Sequence, residues 1–107
     1  MSVTIKTKGD VMHSLIKGEI DHHTAPAIRE QIDEALVNSQ TVRLLVLDFK
    51  DVTFMDSSGV GLVMGRYRLA ASRNVSLRVD NLSERDYKIM KMSGIEKLAE
   101  VNQRTGE

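Results

Sequence analysis

Val42-Arg43-Leu44-Leu45-Val46-Leu47-Asp48-Phe49 is a nearly continuous apolar run, and a few residues later comes Phe54-Met55-Asp56-Ser57-Ser58-Gly59-Val60-Gly61. A short apolar run of this kind is expected where a strand is covered on both sides. Val42 to Phe49 is therefore read as the central strand of a sheet. The second stretch passes the chain from strand to helix, with Asp56 or Ser57 as N-cap and Val60, Val63, Met64, Tyr67 and Ala71 as the buried stripe.

The flanks extend the same pattern. Upstream, Val3, Ile5 and Thr7 alternate with Thr4 and Lys6. After a Gly9-Asp10 turn, Val11 to Ile20 is a second extended stretch interrupted by Gly18, so the two read as antiparallel strands. Thr24 precedes Ala25-Pro26, where Thr accepts from an orphan amide and Pro tolerates a first helical turn. Ile28, Ile32, Ala35 and Leu36 then form one apolar face of a helix ending near Asn38. Downstream, Val75, Leu77 and Val79 mark another strand. Ser83 with Asp86 opens a helix that stops at Gly94, and Ile95 to Val101 is a last short helix or strand. The fold class is α/β, a small mixed β-sheet with helices packed against it, in one domain over residues 1–107.

Composition narrows the function. Fifteen Lys plus Arg balance fifteen Asp plus Glu, so there is no broad positive field for nucleic acid or an anionic membrane. No apolar run approaches the about 18 residues of a membrane span, and the first ten residues lack an apolar signal core. The expected location is the cytoplasm. The absence of Cys removes disulfides, thiolate catalysis and Cys-based zinc sites. Two Phe, two Tyr and no Trp argue against stacked-base recognition and a large aromatic pocket, and the six Met are read as filling an aromatic-poor core.

The chemistry sits in Asp56 to Gly65. Gly59, Gly61 and Gly65 weaken a helix by roughly 0.5–1 kcal/mol each relative to Ala. Gly61 and Gly65, four apart, open a groove for close backbone approach, and Gly59 brings the first turn near another surface. A plain reading makes Asp56 or Ser57 a cap and the glycines packing devices. The functional reading is a phosphorylated Ser, whose charge a helix N-terminus tolerates and a partner matched to the neutral loop does not. Rival chemistries fit poorly. A nucleophile elbow needs Gly two before and two after the Ser, and position 55 is Met. His22 and His23, being adjacent, point apart and serve helix entry rather than a metal, and the Gly-rich loop lacks the Lys of a P-loop. No cofactor is expected.

Gly18-Glu19-Ile20-Asp21-His22-His23-Thr24-Ala25, the Phe54 to Gly61 element, Gly65-Arg66-Tyr67 and Met92-Ser93-Gly94-Ile95 recur in a familiar order. Over nearly its whole length the chain resembles the bacterial anti-sigma factor antagonists of the STAS family, most of all the sporulation branch. The resemblance implies a STAS fold with Ser57 as phosphorylated residue and Ser58 as its neighbour. It implies a partner face of Asp21, His22, His23 and Thr24 together with Asp56, Ser57, Ser58, Gly59, Val60 and Gly61, to which Arg66 and Tyr67 contribute unless Tyr67 is core. The implied partners are an anti-sigma factor that is also an ATP-dependent serine kinase and a PPM-type serine phosphatase. The unphosphorylated protein binds that kinase and frees the sigma factor. Phosphorylation releases it. The chain is then a switch without catalysis of its own, and a monomer when free. The alternative is a relative serving another sigma factor, such as that of general stress, or a larger signalling complex. Gln103 to Glu107 ends a little short of the family pattern.

Overall fold

The computed structural model describes residues 1–105; Gly106 and Glu107 lie outside the described residues. The elements are β1 (Ser2–Lys8), β2 (Val11–Ile20), α1 (Ala25–Val37), β3 (Leu44–Met55), α2 (Ser58–Ser72), β4 (Ser76–Leu82) and α3 (Glu84–Ser93). A single 3-10 turn (Ile95–Lys97) and β5 (Glu100–Gln103) complete the chain. The strands lie in sequence order, with β1 antiparallel to β2 and the remaining neighbours parallel. β3 is the middle strand. Ile95 to Val101, which the sequence left open, contributes both a turn of helix and part of a fifth strand.

Parallel crossovers are right-handed, and when successive strands are added in one direction such crossovers put every helix on the same face. Accordingly Ile28, Ile32 and Leu36 of α1, Leu62, Val63 and Ala70 of α2 and Met90 of α3 share one core with Met12, Ile16, Leu45, Leu47, Phe49, Leu77 and Val79. The apolar run of β3 is covered on both sides, as expected, but by helices on one face only. Alternate residues of its apolar run, Val46 and Asp48, point to the helix-free face. Cross-strand neighbours close over them: His13 and Arg78 stand in register with Val46, and Leu15 and Asp80 with Asp48.

Asp48 is only 4% exposed and is fully provided with donors. Its Oδ1 accepts from Asn81 Nδ2 at 2.9 Å and from the Lys50 amide at 3.0 Å, and Oδ2 lies 2.9 Å from His13 Nε2. Asn81 reaches it from a left-handed backbone, φ +62°, at the point where the β4–β5 register shifts. Burial pushes the Asp48 carboxyl up, but the donors from Asn81, Lys50 and His13 outweigh it and hold the carboxyl below its ordinary value. A carboxyl lowered in the folded state stabilises above its unfolded pKa of about 3.9 and stops doing so as pH falls through the folded value. Asp48→Asn is expected to cost about 2 kcal/mol at pH 7. In urea unfolding at pH 7 and pH 3, the gap from wild type narrows at the lower pH; an equal gap at both contradicts this account.

Candidate functional site

The parallel pairing of β2 with β3 ends at Ile20 opposite Met55, and the Asp56 amide adds one more bond, donating to the Ile20 carbonyl at 3.1 Å. Two loops thus leave the carboxyl edge of adjacent parallel strands side by side, the place where open α/β sheets present their sites. One loop carries Asp21 to Thr24 and the other Asp56 to Ser58.

The first loop is braced by Asp21 and Thr24. Asp21 Oδ1 accepts from the His23 and Thr24 amides at 2.9 and 3.0 Å. Thr24 Oγ1 accepts from the Asp21 amide at 3.0 Å and donates to the Glu19 carbonyl at 2.9 Å. Thr24 therefore stands at the cap position without capping α1; its hydroxyl is turned back towards the strand. The Thr24 amide lowers the Asp21 pKa most, burial opposes it, and the His23 amide lowers it further. His22 and His23 are both exposed, but they do not point apart: the turn brings their rings together, centroids 4.0 Å apart and planes tilted by 38°. Among the described residues no group of three or more His, Asp or Glu could hold a metal ion.

In the second loop Asp56 does the capping. Its Oδ1 accepts from the Ser58 amide at 2.8 Å, which leaves the Ser57 hydroxyl exposed and capping nothing. The buried side of α2 consists of Gly59, Leu62, Val63, Arg66 and Ala70, one step round from the expected stripe. Val60, Met64 and Tyr67 form its half-buried flank, and Ala71 is exposed. The shift has a cause in Gly59. A Cβ there would collide with Cγ and Sδ of Met55, itself fully buried, so the missing side chain lets the first turn sit on the end of β3.

Gly61 and Gly65 behave differently. A Cβ at either meets nothing within 4 Å, so neither packs against the fold. Together with His22, Ala25, Pro26, Arg29 and Ser58 they line a groove of 390 Å³ between α1 and α2. Arg66, expected at the surface, lies at its base only 5% exposed, with Nε 2.7 Å from Asp33 Oδ1. Burial lowers the Arg66 pKa while Asp33 opposes the change; burial likewise raises that of Asp33 against the pull of Arg66 and Arg29. The pair ties α1 to α2 beneath the groove.

Sequence reasoning overlooked what flanks Ser57 on the other side. Phe54 is 47% exposed, and the Arg85 guanidinium carbon lies 5.9 Å from its ring centre. Arg85 Nη1 also donates to the Met55 carbonyl at 3.0 Å. A large aromatic in a strand reads as core, and nothing in the spacing of Arg85 brings α3 to this edge.

The chain resembles known proteins in sequence and in fold. The STAS domain pattern matches residues 2–107. The chain is 37% identical over 83 residues to an anti-sigma F factor antagonist of Paenibacillus polymyxa, covering 78% of this chain and 70% of that protein. It is 30% identical over 108 residues to an anti-sigma-B factor antagonist of Listeria monocytogenes, covering 100% and 93%. Among solved structures, the anti-sigma factor antagonist SpoIIAA in its unphosphorylated form superposes with a TM-score of 0.78 at 29% identity, over 94% of this chain and 87% of that one. Its phosphorylated form gives 0.73 at the same identity, over 94% and 90%. With β2 and β3 delivering the two loops to one edge and the match running the length of the sheet, the chain belongs to the STAS domain family, among the anti-sigma factor antagonists.

Proposed function

We propose that this chain is an anti-anti-sigma factor that works by partner switching, as a single domain in the cytoplasm and as a monomer when free. Unphosphorylated, it binds an anti-sigma factor that is also an ATP-dependent serine kinase, and the sigma factor is released. Transfer of phosphate to Ser57 ends the interaction, and a PPM-type phosphatase restores it. The chain is substrate and switch, not enzyme. The observation that carries this reading is the Ser57 hydroxyl: exposed at the start of a helix, and left free because Asp56 takes the cap.

The proposed docking face combines Asp21, His22, His23 and Thr24 with Asp56, Ser57, Ser58, Gly59, Val60 and Gly61. Its two loops are braced before any partner arrives, which lowers the cost of ordering them. The groove supports the same reading. Gly61 and Gly65 each cost helix stability, and no contact within the fold requires them, so close approach by another molecule gives them a use. A phosphate adds about −1.5 to −2 charges beside Asp56. The α2 dipole favours that charge by roughly 0.3–1 kcal/mol, whereas an interface built on the neutral loop must desolvate it. The fold survives and the docking does not.

The sigma factor served is one of two kinds. The Asp-His-His-Thr element favours the sporulation factor, in line with the higher identity to the sigma F antagonist. A general-stress factor is the second reading, favoured by matches to sigma-B antagonists over nearly the full chain.

Incubation with the cognate anti-sigma factor and labelled ATP, followed by peptide mapping, should place the label on Ser57; label on Ser58 or nowhere rejects the assignment. Ser57→Ala is expected to bind that factor and stay bound when ATP is added. Ser57→Asp should keep the wild-type melting temperature within a few degrees and bind at least about tenfold more weakly, a loss of about 1.4 kcal/mol. The glycines separate fold from docking. Gly59→Ala is expected to destabilise by about 1–3 kcal/mol through overpacking against Met55. Gly61→Ala and Gly65→Ala should gain roughly 0.5–1 kcal/mol in denaturant unfolding yet weaken binding of the anti-sigma factor. A destabilised Gly61→Ala would show that the helix needs the glycine for packing after all.

A further inference from the structure

Arg85 occupies a position that helix physics does not favour. It lies in the first turn of α3, two residues after the Ser83 cap, at the end where the dipole disfavours a cation. Its side chain is 62% exposed. Nη1 serves both of its bonds, to the Met55 carbonyl at 3.0 Å and to Asp86 Oδ1 at 3.1 Å. A guanidinium has five N–H donors, so most of this one is unspent. It stands over Phe54 and is bonded to the residue that ends β3, two positions before Ser57. Two residues of chain span at most roughly 7 Å, a distance that rotations within an arginine side chain cover.

We infer that Arg85 is the residue that answers a phosphate on Ser57: the guanidinium leaves the Met55 carbonyl and the Phe54 ring and pairs with the phosphate oxygens. The inference rests on Ser57 being the modified residue. Its physical ground is a difference between acceptors. Met55 offers a neutral carbonyl and Asp86 a single carboxylate oxygen to one guanidinium nitrogen, whereas a phosphate offers a dianion with several oxygens whose geometry suits the guanidinium fork. The other charges around the loop are Asp56 within it, Asp21, His22 and His23 in the neighbouring loop, Arg29 of α1, which lines the groove with Ser58, Arg104, which lines a pocket with Phe54, Met55 and Arg85, and Glu84 and Asp86 on α3, with Lys88 3.4 Å from Glu84. Phosphorylation then does more than add charge. It uncovers Phe54, already 47% exposed, and so changes the apolar part of the face beside Ser57.

The test uses full-length protein carrying genetically encoded phosphoserine at position 57, so that it does not depend on the kinase. Phosphorus NMR titration should give a second phosphate pKa about 0.5 unit lower in the wild-type background than in Arg85→Ala, with Arg85→Lys between them. The Arg85 Nε–Hε resonance of the otherwise wild-type chain should move when phosphoserine replaces Ser57, a reading that needs no Arg85 variant. Equal phosphate pKa values, or an unmoved resonance, overturn the inference. A lowered pKa upholds it even if the kinase leaves Ser57 unlabelled, an outcome that sinks the proposed function instead.

Discussion

The site depends on one backbone bond past the end of a strand pair, from the Asp56 amide to the Ile20 carbonyl. It extends the β2–β3 ladder beyond Met55 and fixes where each strand lets go of the sheet. Both loops take their positions from that release point. Asp21 and Asp56 then repeat one device: a carboxylate accepting amides just ahead turns the chain into a helix within four residues. Because side chains already satisfy these amides, the hydroxyl of Ser57 is not needed for the fold.

Getting β2 and β3 to finish together takes adjustment along their length. The register shifts between Leu15 and Lys17 and again between Gly18 and Glu19, β3 carrying an extra residue each time. Gly18 sits at the second shift with φ +100°, close to the backbone of Met1, where a side chain would be both strained and crowded. Bulges of this kind re-aim the end of a strand. Here they bring two strands of ten and twelve residues to a common edge. The interruption at Gly18 is therefore part of how the site is placed.

Much of this was legible in the sequence because local signals agreed with the tertiary outcome. The apolar run from Val42 to Phe49, the stripe of Ile28, Ile32 and Leu36, the Ser83 cap and the left-handed Gly94 each follow from short-range chemistry, and the structure has them all. The failures share a cause, which is that long-range packing chose between local options. Thr24 had a good local use as a cap, but the Glu19 carbonyl and Asp21 amide claim its hydroxyl. The α2 stripe was offset because Gly59, which counts as nothing in an apolar pattern, marks the closest contact with the sheet. Arg66 reads as surface until α1 supplies Asp33. Asp48 reads as an interruption in an apolar strand, and only the pairing with β2 and β4 reveals the donors around it.

The contrast between the two ends of the glycine cluster bears on how such a switch keeps its fold. Gly59 is spent on the fold itself, locking the first turn of α2 onto Met55, whereas Gly61 and Gly65 leave the helix surface bare over a groove that Arg66, paired with Asp33, helps to line. Arg66 is buried while the Asp33 side chain is 31% exposed, so losing Asp33 would leave a buried guanidinium without its partner, and the pair resists small rearrangements between the helices it joins. The ladder and Gly59 thus lie behind the exposed hydroxyl, and the ion pair joins α1 to α2 further along the helix. Charge placed on Ser57 then has no soft element nearby to deform except exposed side chains. Its effect has to be read at the surface, by whatever molecule docks there.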